Sequence, residues 1–302
     1  MLSRSTTQTL QTLSLSAATI LVALLASPYA EAVPIMSATA SATINGGAPS
    51  SDTDTSATQA NAQLLDDLQG EWNTQAASSA SGQLGVSSGF LGASGRRADL
   101  TSTATWTDVF DYTSGAATFD FFIAEAIIGF EANNVRGLFG NYSVDISLNG
   151  VSLFEASASI LTVDSTPSDP NGLLLTQTGP QIATFDPNIT TGPNPGGAGY
   201  RFSAYTGSLA LDPLIGTNTL VYTMSAGVRG LIGETGAKAS IGDPLNLDLQ
   251  PPGAGLTIES GPPPTPVPEP DTFVLLLLGL LPVAALATRR RWSGARTPIR
   301  SC

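Results

Sequence analysis

The sequence contains no histidine and only one cysteine, Cys302, which is its last residue. The lack of histidine excludes Ser-His-Asp and Cys-His nucleophile systems, together with the commonest zinc and copper ligands. A single thiol cannot form an intramolecular disulfide, so a folded domain in this chain depends on its own hydrophobic core. We therefore expect no metal or other cofactor.

Basic side chains are scarce between the two ends of the chain. The whole sequence has 12 lysines and arginines against 24 acidic residues. Residues 33–270 contain 6 of the basic and 22 of the acidic side chains, which gives them a formal charge of −16. Because such an acidic surface repels phosphate backbones, nucleic acid is not an expected partner.

Residues 1–32 have the features of a secretory signal peptide. A polar stretch with Arg4 precedes the short apolar residues 17–26, and Ala30-Glu31-Ala32 supplies an A-x-A cleavage pattern. Ala30 and Ala32 are the small residues that signal peptidase recognises, and an apolar segment this short indicates export rather than anchoring. The alternative is a buried N-terminal core helix.

Residues 33–97 are rich in Ser, Thr, Ala, Gly and Gln and contain few large apolar side chains. A stretch of this composition buries too little surface to offset its chain entropy, so we expect most of it to be flexible. The exception is residues 61–72, where Leu64, Leu65 and Leu68 share a helical face. This spacing predicts a short helix or a capping segment on the domain that follows.

From about Asp99 onward, apolar and polar residues alternate with period two. The alternation is clearest in residues 142–148, which the pair Asn149-Gly150 separates from residues 151–153. Asn-Gly between two such runs predicts a hairpin with a type I′ turn. Further strands are predicted at residues 103–112, 117–126, 172–176, 181–185, 200–205, 207–211, 219–226, 237–241 and 245–249. Many short strands indicate an all-β chain with one antiparallel β-sandwich or jelly-roll-like domain over residues 98–260.

The C-terminal residues have three successive compositions. Residues 261–271 form a Pro-rich linker, residues 272–288 are uncharged, and residues 289–302 are basic. Seventeen uncharged residues are near the minimum for a transmembrane helix. By the positive-inside rule, Arg289, Arg290 and Arg291 would stop transfer on the cytoplasmic side and leave the body outside. An unprocessed single-span anchor is one interpretation.

Val267-Pro268-Glu269-Pro270, the apolar span and the arginine cluster together resemble the PEP-CTERM sorting domain. That family consists of exported proteins of Gram-negative bacteria that make extracellular polysaccharide. The resemblance implies that exosortase, a membrane transpeptidase, recognises Pro268, Glu269 and Pro270 and processes the tail. The protein would be held in the inner membrane by its tail helix before processing and would then reach the cell surface or extracellular matrix. Asp271 departs from the family pattern, in which a small residue is usual.

Carboxylate pairs, a polar loop and aromatic residues are the candidate sites within the body. Asp108 with Asp111, and Glu125 with Glu131, are possible acid–base pairs for glycoside hydrolysis, but solvated surface carboxylates are the favoured interpretation. The loop residues Asp164, Asp169 and Asn171 offer oxygen ligands for calcium, although prolines explain the loop without a metal. A sugar-stacking platform would use aromatic rings, and the candidates are Trp72, Trp106, Tyr112, Tyr200 and Tyr205.

The favoured functional hypothesis is a non-enzymatic protein of the cell surface or matrix. Its processing partners would be signal peptidase and exosortase, and its extracellular partner would be polysaccharide. The first alternative is a secreted carbohydrate-binding module with a definite ligand. A polysaccharide hydrolase that uses paired carboxylates is the last alternative.

Overall fold

The computed structural model describes residues 33–260, except 67–70, 93, 132–135, 165–167, 190–196, 233–234, 248–249 and 252. The chain divides into two units. The first comprises residues 1–113 and 117–258 and contains nearly all of the described structure. The second comprises residues 114–116 and 259–302, of which only residues 114–116, 259 and 260 are described.

The described residues form three sheets and one three-residue 3-10 turn, Pro170–Gly172. Sheet A has the spatial order β11 (Leu173–Thr178), β10 (Val151–Thr162), β9 (Phe139–Leu148), β15 (Gly216–Ile232), β6 (Arg96–Tyr112), β1 (Ile35–Ile44), β2 (Ser50–Ser56). Sheet B has the order β12 (Ala183–Asp186), β13 (Gly197–Phe202), β8 (Ala126–Glu131), β16 (Thr235–Ile241), β5 (Leu84–Gly92), β4 (Trp72–Ser79), β3 (Gln59–Leu65). Sheet C has the order β14 (Tyr205–Leu211), β7 (Gly115–Ile123), β17 (Ala254–Ser260).

Sheets A and B are the two layers of a sandwich. Their neighbouring strands pair antiparallel throughout. The central strands of sheet A contact those of sheet B, with β15 against β5 and β16, and β1 against β3 and β4. Alternate side chains of each strand enter the space between the layers, as Leu220, Tyr222 and Met224 of β15 do. The prediction of an all-β chain with antiparallel sheets is confirmed.

The predicted hairpin is formed by β9 and β10. Tyr142, Val144 and Ile146 are buried on its inner face. Asn149 and Gly150 connect the strands with φ values of 52° and 79°, the positive φ pair that a type I′ turn requires. The backbone N–H of Asn149 also donates to the carbonyl of Thr219, which ties the turn to β15.

Residues 33–97 are not the flexible region that their composition suggests. They contain β1 to β5 and the first residues of β6. Ala38, Ala40 and Ala42 of β1 are buried and alternate with Ser and Thr, and β1 contacts β3, where Ala60 and Ala62 are buried. Small side chains face small side chains here. The expectation of a flexible region is wrong because many alanine methyl groups together bury the apolar surface that a few large side chains bury elsewhere.

Two further local predictions are wrong. Residues 61–72, expected to be helical, supply most of β3 and the first residue of β4; Leu64 is half-buried and Leu65 is 49% exposed. Leu68 lies outside the described residues. The strand expected at residues 245–249 is a turn in its described part, since an Asp243 carboxylate oxygen accepts the Leu245 N–H at 2.9 Å. Alternating leucines fit a strand, but this local Asx hydrogen bond favours the turn.

Gly82 and Gly46 provide a matched test of the packing between the β4–β5 turn and the start of β17. Both have φ of +69°, which costs an L-residue about 1 kcal/mol. A Cβ added at Gly46 meets no atom within 4 Å, whereas one at Gly82 lies 2.6 Å from the backbone nitrogen of Ala254. We expect Gly46→Ala to lower the free energy of unfolding by about 1 kcal/mol and Gly82→Ala by about 2–3 kcal/mol, because only Gly82→Ala adds overpacking.

Urea denaturation of the two variants beside the parent chain measures this difference. Equal losses of stability in both variants would show that β17 does not pack against the β4–β5 turn.

Candidate functional site

A polar groove crosses the outer face of sheet B. Two cavities, of about 510 and 280 Å³, meet there and share Asn73, Ser87 and Lys238 as lining residues. We call this feature the Lys238 groove and define it by six polar side chains that line it: Asn73, Gln75, Ser87, Glu125, Lys238 and Ser240. The larger cavity falls within the size range of small-molecule sites.

The groove exists because glycine flanks Lys238 on both neighbouring strands. In the sheet register, Lys238 of β16 lies opposite Gly89 of β5 and opposite Gly129 of β8. Directly opposed residues of paired strands point to the same face, and these two have no side chain to cover that of Lys238. Ser87, opposite Ser240, extends the polar floor by one step along the strands.

Lys238 is the only lysine of the 302-residue sequence. Within the described ranges it takes part in none of the ion pairs, all of which are made by Arg96 or Arg201. Its side chain is half-buried, in a body with a formal charge of −16. Its ammonium group is therefore a cation whose charge no neighbouring carboxylate of the described structure neutralises.

The acidic residues around the groove, by contrast, already have partners. Glu125 accepts from Arg201 at 3.0 Å, and Glu71, at the other end, accepts from Arg96 at 2.8 Å. Asp243 accepts the Leu245 N–H at 2.9 Å and the side-chain amide of Asn246 at 2.7 Å. These interactions hold the carboxylates in place around the groove.

Arg201 joins two carboxylates at the edge of sheet B. Its Nε donates to Asp186 at 2.6 Å while another guanidinium nitrogen contacts Glu125. The hydrogen bond from Arg201, with one from the backbone N–H of Asn188 at 2.8 Å, lowers the pKa of Asp186 below its ordinary value. Asp186 therefore stays ionised in mildly acidic solution and keeps the guanidinium in position.

The outer face of sheet A has a different character, with hydroxyl groups paired across strands. Thr103 lies 3.0 Å from Ser225, and Ser157 lies 2.8 Å from Thr178, measured between hydroxyl oxygens. A shallow cavity of about 290 Å³ lies over β9, β10 and β11 on this face. Since these hydroxyls satisfy one another, they stabilise the sheet and leave fewer groups available to a ligand.

The structure separates both candidate carboxylate pairs. Asp108 and Asp111 are three residues apart on β6 and point to opposite faces. Glu125 and Glu131 are joined by the extended β8 and lie roughly 20 Å apart, well beyond the separation that glycoside hydrolysis requires. The expectation of solvated carboxylates holds for Asp111 and Glu125, which are exposed, and is wrong for Glu131, which is only 7% exposed.

The candidate aromatic platform is not assembled. Trp106 is a core residue, 4% exposed, whose ring stacks on Phe119 with centroids 5.8 Å apart. Tyr200 and Tyr205 are half-buried and contact phenylalanine rings, and Tyr112 is half-buried against the core. Of the five candidates, Trp72 alone lines the Lys238 groove, and its buried indole N–H has no hydrogen-bond partner.

The loop that suggested calcium ligands is organised by hydrogen bonds. Asp169 caps the 3-10 turn, and one of its carboxylate oxygens accepts the N–H groups of Asn171 at 2.8 Å and Gly172 at 3.2 Å. In the described part of the chain, no three histidine, cysteine or carboxylate side chains lie close enough together to hold a metal ion.

The targeting predictions fall outside the described residues. They concern Ala30 and Ala32 of the signal cleavage site, the sorting motif Val267 to Pro270, and Arg289 to Arg291 behind the apolar span. No helix among the residues that the structure describes is long and apolar enough to cross a membrane.

Sequence reasoning missed the residues of the Lys238 groove. The one available signal was a lone lysine in an acidic chain, in the small-residue context Gly236-Ala237-Lys238-Ala239-Ser240. Its significance depends on strand pairing, because Gly89 and Gly129 are more than 100 residues from Lys238 in the sequence and adjacent to it in the sheet.

No family model and no curated protein matches the chain. Among solved structures, it is similar to TmCBM61, a carbohydrate-binding module determined in complex with β-1,4-galactotriose. The sequence identity is 11% and the TM-score 0.22, over 66% of this chain and 82% of that chain. A TM-score this low carries no argument about the fold or the ligand of the present protein.

Proposed function

We propose that the chain is a non-enzymatic protein of the bacterial cell surface or extracellular matrix, and that its sandwich associates with polysaccharide. The N-terminal signal peptide exports it, and the PEP-CTERM-like tail holds it in the inner membrane until exosortase processes it. The observation that carries the polysaccharide part is the Lys238 groove, an open polar cleft on the outer face of sheet B in the described structure.

The geometry of the candidate carboxylate pairs supports a binding role over hydrolysis. One pair points to opposite faces of its sheet, and the other is separated by the length of a strand. The groove also favours the second candidate function, a carbohydrate-binding module with a definite ligand, because its amide and hydroxyl side chains suit hydrogen bonding to sugars. The two functions are compatible, since a carbohydrate-binding module can form part of a surface protein.

Removal of residues 264–302 tests the sorting part of the proposal. We expect the truncated protein to cross the inner membrane and then to be lost from the cell surface, because the tail that exosortase recognises is absent. Immunodetection on intact cells and in the culture medium measures this change. The intact mass of full-length protein recovered from the surface should show cleavage near Ala32 and near Pro270.

Glu269→Ala is a smaller change in the same tail, and Glu259→Ala, in β17, is its matched control with the same loss of charge. Glu269→Ala should reduce surface delivery, and Glu259→Ala should leave it unchanged. Equal amounts of truncated and full-length protein on the surface would refute exosortase sorting.

A further inference from the structure

We propose that the Lys238 groove binds a carboxylate-bearing sugar unit, a uronic acid residue of an acidic polysaccharide, with the Lys238 ammonium on the sugar carboxylate. This inference deepens the proposed function and rests on it. The class of ligand follows from the charges, the neighbouring polar groups and the shape of the groove.

The groove presents a single cation, Lys238, within an acidic body. A surface with 6 basic and 22 acidic residues repels polyanions in general. Within the groove, Glu71 and Glu125 each accept from an arginine, whereas Lys238 lines the cavity without an ion-pair partner in the described structure. An anion is therefore attracted to this position and repelled from most others, which confers specificity on the site.

The side chains around Lys238 match the remainder of a sugar ring. Asn73, Gln75, Ser87 and Ser240 line the same cavity and provide amide and hydroxyl groups that both donate and accept hydrogen bonds. A carboxylate paired with an ammonium forms a charge-assisted hydrogen bond, about twice as strong as a neutral one. A carboxylate with adjacent hydroxyl groups uses both features of the groove, whereas a neutral sugar leaves the lysine charge unpaired.

The groove is longer than either of its two cavities, which suits a polymer ligand. The larger cavity continues past Glu125 and Asp243, and the smaller one continues past Trp72, whose indole N–H is buried without a partner. Lys238 lies where the two cavities meet. A chain can thus run along the groove with one acidic unit over the lysine and its neighbours on either side.

The unique lysine allows the contact to be measured at a single residue. In the full chain, the amine-reactive groups are Lys238 and the N-terminal amine. We would acetylate the protein with and without polygalacturonate and follow the acetylation of Lys238 by mass spectrometry. Polygalacturonate should slow acetylation of Lys238 relative to the N-terminal amine, and neutral dextran should not. This readout is independent of polyanion binding to the arginines of residues 289–300.

Charge variants complete the test. Lys238→Gln should weaken polygalacturonate binding at least about tenfold, because a charge-assisted hydrogen bond is lost, and Lys238→Arg should retain most of the affinity. Arg97→Gln is the matched control, since Arg97 is exposed on the outer face of sheet A and the substitution removes the same charge. Each variant is first checked for an unchanged melting temperature.

The outcomes separate this inference from the proposed function. If the protein binds dextran and polygalacturonate does not protect Lys238 from acetylation, the uronate assignment is overturned. Polysaccharide association would still stand. Equal weakening by Lys238→Gln and Arg97→Gln would also overturn the uronate assignment, since binding would then follow net charge. Binding of neither polymer, nor of polysaccharide from the producing organism, would contradict both.

Discussion

Phe119→Ala is expected to lower the free energy of unfolding by about 3–5 kcal/mol, the usual range for removal of a fully buried phenylalanine ring. Phe119 lies on β7 and is 0% exposed. Its ring packs against sheet A and against the ring of Phe121 on the same strand. Its ring centroid lies 5.8 Å from that of Trp106 on β6 and 6.1 Å from that of Tyr222 on β15. Removal of the ring leaves a cavity bordered by large aromatic groups, which cannot collapse into the space without losing their own contacts.

Phe122→Ala is the matched control for this substitution. Phe122 is on the same strand, but its side chain points to the opposite face and is only half-buried. Its backbone carbonyl accepts the hydroxyl of Tyr222 at 2.8 Å, an interaction that the substitution does not remove. We expect a loss of about 1 kcal/mol for this variant.

Thermal and urea unfolding of both variants measure the difference. For a domain of this size, the loss at Phe119 corresponds to a decrease of roughly 6–20 °C in melting temperature. A loss at Phe119 no greater than that at Phe122 would show that β7 does not cover the interior of the sandwich.

The parts of the fold that the sequence predicts well are those with strong local signals. The β9–β10 hairpin combines period-two alternation with Asn149-Gly150, whose positive φ values come from local sterics alone. Most of the later strands are found near their predicted positions because turn residues separate them. β15 extends well beyond its prediction, from 219–226 to Gly216–Ile232, because it pairs along its whole length with β6. Pairing with a distant strand leaves no local signature.

Composition alone does not predict the N-terminal strands, whereas the alternation of their residues does. Serine, threonine and alanine have low hydrophobicity, but in β1 they alternate so that every alanine faces inward and every hydroxyl outward. Each alanine contributes little to the free energy of folding by itself. The strands are stable because sheet pairing and alanine-to-alanine packing act together. The signal was present in the sequence as the run Ala38-Thr39-Ala40-Ser41-Ala42.

The candidate site was less predictable than the fold, for a physical reason. Aromatic residues are the natural candidates for sugar contact. Burial of the Trp106 ring in the core, however, stabilises the fold more than its exposure to a ligand would, and the rings of Tyr200 and Tyr205 are half-buried beside phenylalanines. The groove depends instead on what is absent, namely side chains at Gly89 and Gly129 beside Lys238. Such a gap is visible only once the strand order and register are known.

Arg96 is the second position where we expect a large effect. At the start of β6, its guanidinium donates to Asp66, which follows β3, and at 2.8 Å to Glu71, which precedes β4. The hydrogen bond to Glu71 has the larger effect and that to Asp66 the next, and both raise the pKa of Arg96 above its ordinary value. The side chain therefore remains charged at every accessible pH. The side chain of Asp66 is only 4% exposed and that of Glu71 13% exposed. Arg96 thus pairs with both of these largely buried carboxylates.

Arg96→Met keeps most of the volume of the side chain and removes its charge, and we expect it to lower the free energy of unfolding by about 3–4 kcal/mol. Removal of one partner of a buried ion pair typically costs 3–5 kcal/mol because the other charge stays buried and uncompensated; the 22% exposure of Arg96 moderates that cost. Since protonation removes the charge of a carboxylate, the loss should be full at pH 7 and smaller near pH 4.

A triple variant, Arg96→Met with Asp66→Asn and Glu71→Gln, distinguishes charge from packing. It should recover much of the lost stability at pH 7, because the two carboxylate charges are removed together with that of the arginine. Arg97→Gln, an exposed neighbour without an ion pair in the described structure, is the control and should change stability little. Because Glu71 also lines the smaller cavity, Arg96→Met removes a cation from beside a carboxylate near Lys238. The single variant should therefore also bind polygalacturonate more weakly than the triple variant, and equal binding by both would show that Glu71 does not influence the charge at Lys238.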